Sequence, residues 1–128
     1  MSKLGDMGLG IIIGKIRFCV TPKKMYYGHG YKIHKHLYFN KCTETEVRLI
    51  QLWAEENDLL WQHKKRIGKR KDIELWLDAL SPYEDLLTDQ KGLTRIKWVF
   101  ENPIPHASFP FDSFLEWASA WDALNDGF

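Results

Sequence analysis

The sequence predicts an α+β fold: a small antiparallel sheet of about three strands packed against helices, in the order β-β-α-α-α-β-α, as one domain over residues 1–128. Three observations lead there. Residues 9–20, 31–39 and 93–100 alternate apolar and polar side chains, the two-residue period of a half-buried strand. Behind capping signals elsewhere, apolar residues recur every three or four positions, the period of an amphipathic helix. Of the 128 residues, 45% are hydrophobic and 14% aromatic, which supplies one core without disulfide or metal staples.

In the first strand, Ile12, Ile16, Phe18 and Val20 share a face, opposite Ile11, Ile13, Lys15, Arg17 and Cys19. Thr21 and Pro22 end it. A loop from Lys23 to Gly30 leads to the second strand, residues 31–39. There Tyr31, Ile33, Leu37 and Phe39 oppose Lys32, His34, His36 and Tyr38. Neighbouring strands of this length suggest an antiparallel hairpin with a wide loop. Thr43-Glu44-Thr45-Glu46 reads as a capping box. It opens a helix from about Glu44 into the sixties, with Val47, Ile50, Ala54 and Trp61 near one stripe and Gly68 as the stop. Asp72 caps a second, short helix carrying Ile73, Leu75, Trp76, Leu77 and Leu80.

Ser81-Pro82-Tyr83-Glu84 repeats the box with proline at the first helical position, for a third helix ending near Gly92. In residues 93–100, Thr94, Ile96, Trp98 and Phe100 face one way, and Leu93, Arg95, Lys97 and Val99 the other. Pro103 and Pro105 make the following stretch irregular. Asp112 caps a final helix with Phe114, Trp117, Ala118, Trp121 and Leu124 at helical spacing. Trp53, Trp76, Trp98 and Trp121 are expected in the core.

Composition narrows the class. Two cysteines, Cys19 and Cys42, are too few for a disulfide framework and read as free thiols of a reducing compartment. The run Leu9 to Gly14 is short, glycine-broken and met at once by Lys15 and Arg17, so it is no signal-peptide core. No apolar run approaches the roughly 20 residues that span a bilayer. The expectation is a cytoplasmic protein with no membrane association.

A net charge of +1 conceals blocks of one sign. Residues 1–41 hold eight Lys or Arg against one acid, Asp6, and residues 64–71 hold six bases and no acid. Residues 72–90 hold six acids and no base. Basic blocks of this kind are candidate contacts for polyanions, provided folding does not interleave the signs.

The first candidate site follows from that. The segment Thr21 to Lys32 sets Lys23, Lys24 and Lys32 among Tyr26, Tyr27, His29 and Tyr31. Ammonium groups neutralise phosphates and aromatic faces stack on unpaired bases, the two ingredients of single-strand binding. The second is Lys64, Lys65 and Arg66, which open the run to Lys71. It reads equally as a phosphate-binding patch or as the C-terminal end of the preceding helix, where cations suit the dipole. In the tail, Trp117 and Trp121 lie four apart on one helical face and read as core, and Asn125-Asp126-Gly127-Phe128 resembles the partner-binding tips of single-strand DNA-binding proteins.

A metal reading is available too. His34 and His36 lie on one face of a strand, with Cys42 close in sequence, and paired imidazoles can present nitrogen to a divalent ion. The plainer reading is a polar strand face, since no CxxC or HxxxH pair closes the site. Ile33-His34-Lys35-His36-Leu37 also resembles the histidine–hydrophobe–histidine strand of replication initiators and relaxases. The resemblance implies a metal on His34 and His36 and a tyrosine nucleophile, here Tyr83. It departs from the pattern at Lys35, where the family carries a hydrophobe.

There is no glycine-rich phosphate loop and no nucleophile elbow, and the adjacent acids Glu55-Glu56 and Glu84-Asp85 diverge on a helix. The leading expectation is a small non-catalytic protein, without cofactor, that contacts nucleic acid or a nucleic-acid-handling protein through its basic, aromatic N-terminal hairpin. The first alternative is an adaptor or inhibitor directed at a protein partner, of the kind carried by phages and other mobile elements. The second is a metal-dependent single-strand nuclease using His34, His36 and Tyr83.

Overall fold

In a computed structural model the described residues are 3–24, 31–62, 66–103 and 111–127, with backbone alone at 23–24, 31–32 and 111–114. The fold class is α+β, with the elements α1 (Lys3–Lys15), β1 (Ile16–Lys24), β2 (Tyr31–Phe39), α2 (Glu44–Glu56), α3 (Arg70–Leu80), a 3₁₀ helix (Ser81–Leu86), α4 (Gln90–Glu101) and α5 (Phe111–Asp126). Internal contacts divide the chain into two compact units. The first is Met1–Phe18 with His36–Gln90, and the second is Cys19–Lys35 with Lys91–Phe128.

The sheet has two strands, β1 paired with β2, and six residues of connection leave them no choice but antiparallel. The expected order β-β-α-α-α-β-α is therefore corrected at both ends. Residues 93–100 are not a third strand but the body of α4. Their buried residues are Gly92, Leu93, Ile96 and Val99, which fall on a helical stripe as readily as their neighbours fall on a strand alternation. The expected first strand is helix up to Lys15 and strand only from Ile16. β1 then runs through Pro22, which a two-stranded sheet tolerates because each strand keeps an open edge.

Four glycines should weaken α1, yet packing holds it. Its buried face is Gly5, Gly8, Leu9 and Ile12, set against α2. A Cβ on Gly8 would lie 2.1 Å from the Leu49 carbonyl oxygen and 3.2 Å from the Trp53 Cβ, so glycine is what lets the two helices approach. Arg17 finishes α1 by donating from Nη1 to the Gly14 carbonyl at 3.0 Å.

α2 begins as its sequence announces. The Thr43 hydroxyl accepts from the Glu46 N–H at 3.2 Å, and the Glu46 carboxylate accepts from the Thr43 N–H at 2.8 Å. It stops earlier than expected, at Glu56. Asp58 takes a φ of 57°, the Leu59 N–H donates to the Ala54 carbonyl at 2.8 Å and the Asp58 N–H to Glu55 at 3.2 Å. This pair of bonds is the Schellman ending, with aspartate in the left-handed position that glycine usually fills.

The core of the first unit holds Ile12, Ile16, Leu37, Ile50, Trp53, Ile73, Trp76 and Leu80, all but fully buried. Trp53 and Trp76 meet with centroids 5.8 Å apart, and Phe39 sits edge-on to Trp76 at 5.5 Å. In the second unit, α4 and α5 are sealed by tryptophan. Trp98 lies 5.5 Å from Trp117 and 5.8 Å from Trp121, and the Trp117 and Trp121 rings stack with planes 6° apart. Trp117 Nε1 donates to the Asn102 carbonyl at 2.8 Å, and Arg95 Nε to Asn125 Oδ1 at 2.6 Å. Of the four tryptophans expected in the core, Trp53 and Trp76 are buried while Trp98 and Trp121 are half-buried; Trp117 is the buried one on α5. No helix among the described residues is long and apolar enough to cross a membrane.

Two smaller corrections concern helix starts. Ser81-Pro82-Tyr83-Glu84 makes a 3₁₀ helix with proline in its first turn and no side-chain cap. Asp72 falls inside the first turn of α3 and does not cap it, and Asp112 lies one residue into α5.

Candidate functional site

The hairpin places its basic segment at the far ends of its two strands. Lys23, Lys24 and Lys32 lie on described backbone, at the end of β1 and the start of β2. Tyr26, Tyr27 and His29 lie outside the described residues, as do Lys64 and Lys65. Arg66 is described and exposed.

From Arg66 onward the second basic block has a definite position. Ile67 forms a single antiparallel bridge with Leu37 of β2. The Leu37 N–H donates to the Ile67 carbonyl at 2.9 Å, and the Ile67 N–H donates back at 3.0 Å. The block is thus hydrogen-bonded to the second strand of the hairpin, and both Leu37 and Ile67 are buried. Beyond the bridge, Gly68 and Lys69 lead into α3, with Arg70 and Lys71 as its first residues.

This reverses one sequence reading. With α2 ending at Glu56, the cations are not at a helix C-terminus; Lys69, Arg70 and Lys71 stand at the N-terminus of α3. There the backbone N–H groups point outward and the dipole is positive, so cations are disfavoured. Lys69 is the N-cap, and it makes no side-chain capping bond. Only Asp72, in the first turn, opposes the excess. Arg66, Lys69, Arg70 and Lys71 are all exposed. Arg70 pairs with Glu74 at 2.7 Å, whereas among the described residues no carboxylate pairs with Arg66, Lys69 or Lys71.

The histidine face of β2 is as the alternation requires. His34 is exposed, His36 is half-buried with its ring 5.7 Å from that of Tyr38, and Tyr38 is exposed. Lys35 lies on the opposite, apolar face. Its ammonium sits 5.3 Å from the centre of the Phe100 ring, a cation–π contact that lets a lysine occupy the position where the initiator pattern has a hydrophobe. The Cys42 thiol donates to the Asn40 carbonyl at 3.0 Å. Burial pushes its pKa up, more than the nearby Lys15 ammonium lowers it. Among the described residues no three His, Cys, Asp or Glu side chains gather around one point. Tyr83 is half-buried on the 3₁₀ helix.

Sequence reasoning named Lys64, Lys65 and Arg66 from the run and not Lys69 or Lys71, and it ran the preceding helix too far. The signal that places the break was present in Asn57-Asp58, two residue types that accept the left-handed conformation. Compared with known proteins, the chain matches no family model, no curated protein and no solved structure.

Proposed function

We propose that the protein is a non-catalytic binder of nucleic acid, held chiefly by its phosphates. The observation that carries this reading is the block Arg66, Lys69 and Lys71: three exposed cations without carboxylate partners among the described residues, two of them at the positive end of a helix. That arrangement costs the fold stability, and a bound phosphate would relieve it by meeting both the ammonium groups and the outward N–H groups of α3. Lys23, Lys24 and Lys32 of the hairpin, with Tyr26, Tyr27 and His29, supply the second contact region, and Lys64 and Lys65 extend the first.

The test is equilibrium binding of a labelled single-stranded oligonucleotide across a salt series. Each phosphate contact removed should lower the slope of log affinity against log salt by roughly one unit. Lys69→Ala with Lys71→Ala, and separately Lys23→Ala with Lys24→Ala, are expected to weaken binding and flatten the slope. Tyr26→Ala with Tyr27→Ala is expected to weaken it with little change in slope. Lys69→Asp separates the helix from the ligand. The new carboxylate can cap α3, which is worth about 0.5–2 kcal/mol, so the melting temperature should rise while binding falls. An unmodified protein that binds no oligonucleotide even at low salt overturns the reading, and the block is then a docking surface for an acidic protein.

A further inference from the structure

Beside this block, in the first unit, an open cavity of about 240 Å³ is lined by Asp58, Leu60, Lys71, Asp72, Leu75 and Trp76, among others. That is smaller than the roughly 300–1,000 Å³ of a drug-sized site, and it suits a single ring system. The floor is Trp76, 1% exposed, whose Nε1 donates to the Leu60 carbonyl at 3.4 Å. Two exposed leucines line it: Leu60 is 82% exposed and Leu75 44%. Lys71 joins the cavity to the cation block.

Asp58 is the second residue here that breaks a local rule. It holds the left-handed position of the α2 ending, with φ 57°, where glycine fits without strain. An aspartate there sacrifices stability and puts a carboxylate at the cavity. Two departures from helix-end chemistry, the aspartate closing α2 and the lysines opening α3, thus meet at one hollow in which leucine and tryptophan stand beside Asp58, Lys71 and Asp72. Departures of this kind are expected where function sets the residue.

Resting on the nucleic-acid reading, we infer that the cavity receives one unstacked base of a single strand. Leu60 and Leu75 take its faces, Lys71 meets the adjoining phosphate, and the Asp58 carboxylate accepts hydrogen bonds from the base edge. An apolar side chain of a protein partner would fill the same hollow but would leave Asp58 and the phosphate-seeking cations without a role. Among bases, guanine presents two adjacent N–H donors that a carboxylate can accept together, whereas thymine has a single imide N–H. The cavity therefore prefers guanine to thymine.

The test uses the full chain and oligomers of about 15 nucleotides: one of thymine, one of alternating thymine and guanine, and an abasic deoxyribose-phosphate strand of equal charge. The guanine-containing strand is expected to bind about tenfold more tightly than the abasic strand, or better, with the same salt slope. Leu60→Ser with Leu75→Ser, both at exposed positions, should cut that advantage to the share the hairpin tyrosines supply, remove the preference for guanine over thymine, and leave the slope in place. Asp58→Gly should raise the melting temperature and remove the preference for guanine over thymine. Equal binding of base-bearing and abasic strands, or an advantage undiminished in the double serine variant, overturns the base site while the phosphate reading stands. A guanine preference that survives Asp58→Gly overturns the role of Asp58. Failure of every strand to bind overturns both readings together.

Discussion

Glu46 joins two helices through one carboxylate. It accepts from the Thr43 N–H, closing the capping box, and lies 3.3 Å from the Lys15 ammonium at the end of α1. That ammonium also donates to the Lys41 carbonyl. The backbone bond from Thr43, helped by Lys15, holds the Glu46 pKa below its ordinary value of 4.5. A carboxyl depressed in the folded state adds stability above its unfolded pKa and loses it as the pH falls toward its folded value. Glu46→Gln is therefore expected to lower the melting temperature at pH 7, with the gap from the unmodified protein closing as the pH drops below about 4.5. A gap that stays constant down to pH 3 would remove Glu46 from the acid response. At this scale the sequence was legible where the signal is local. Thr43 and Glu46 announce their bonds by spacing alone. Asn57-Asp58 is a weaker signal, since both residue types accept the left-handed conformation without requiring it.

Elements were legible where one period dominates, as in β2, whose bounds of residues 31–39 match the sequence reading. They were misread where two periods fit the same residues. Ile11, Ile12 and Ile13 carry the β-branched signature of a strand, and four glycines argue against a helix. Packing against α2 overrides both, through the absent Cβ of Gly8. The argument yields opposite outcomes for two glycines of one helix. Gly8→Ala drives a methyl into the Leu49 backbone and should cost about 1–3 kcal/mol, the usual range for overpacking. Gly10→Ala meets nothing within 4 Å and should stabilise by about 0.5–1 kcal/mol. Denaturant melts of the two variants check both signs. The same ambiguity hid α4, whose Thr94, Ile96, Trp98 and Phe100 alternate like a strand while Leu93, Ile96 and Val99 form the helical stripe that is buried.

Among the described residues, folding pairs some of the charges that the sequence sets in blocks of one sign. Arg70 finds Glu74, and Arg48 pairs with Glu44 at 3.3 Å, both exposed pairs within one helix and worth a few tenths of a kcal/mol at most. Stability rests instead on the apolar cores of the two units. A chelator is accordingly expected to leave the melting temperature unchanged, since structural zinc is coupled to folding by many kcal/mol; a shift of many degrees would restore the metal reading of His34, His36 and Cys42. The bridge between Leu37 and Ile67 has a consequence in chain entropy. It joins residues about thirty positions apart and closes a loop that contains all of α2, at a cost that grows only slowly with loop length. Arg66, Lys69 and Lys71 acquire their places only in chains where that loop has closed. A ligand that binds them therefore favours the closed loop by mass action, and a saturating polyanion is expected to raise the melting temperature of the first unit.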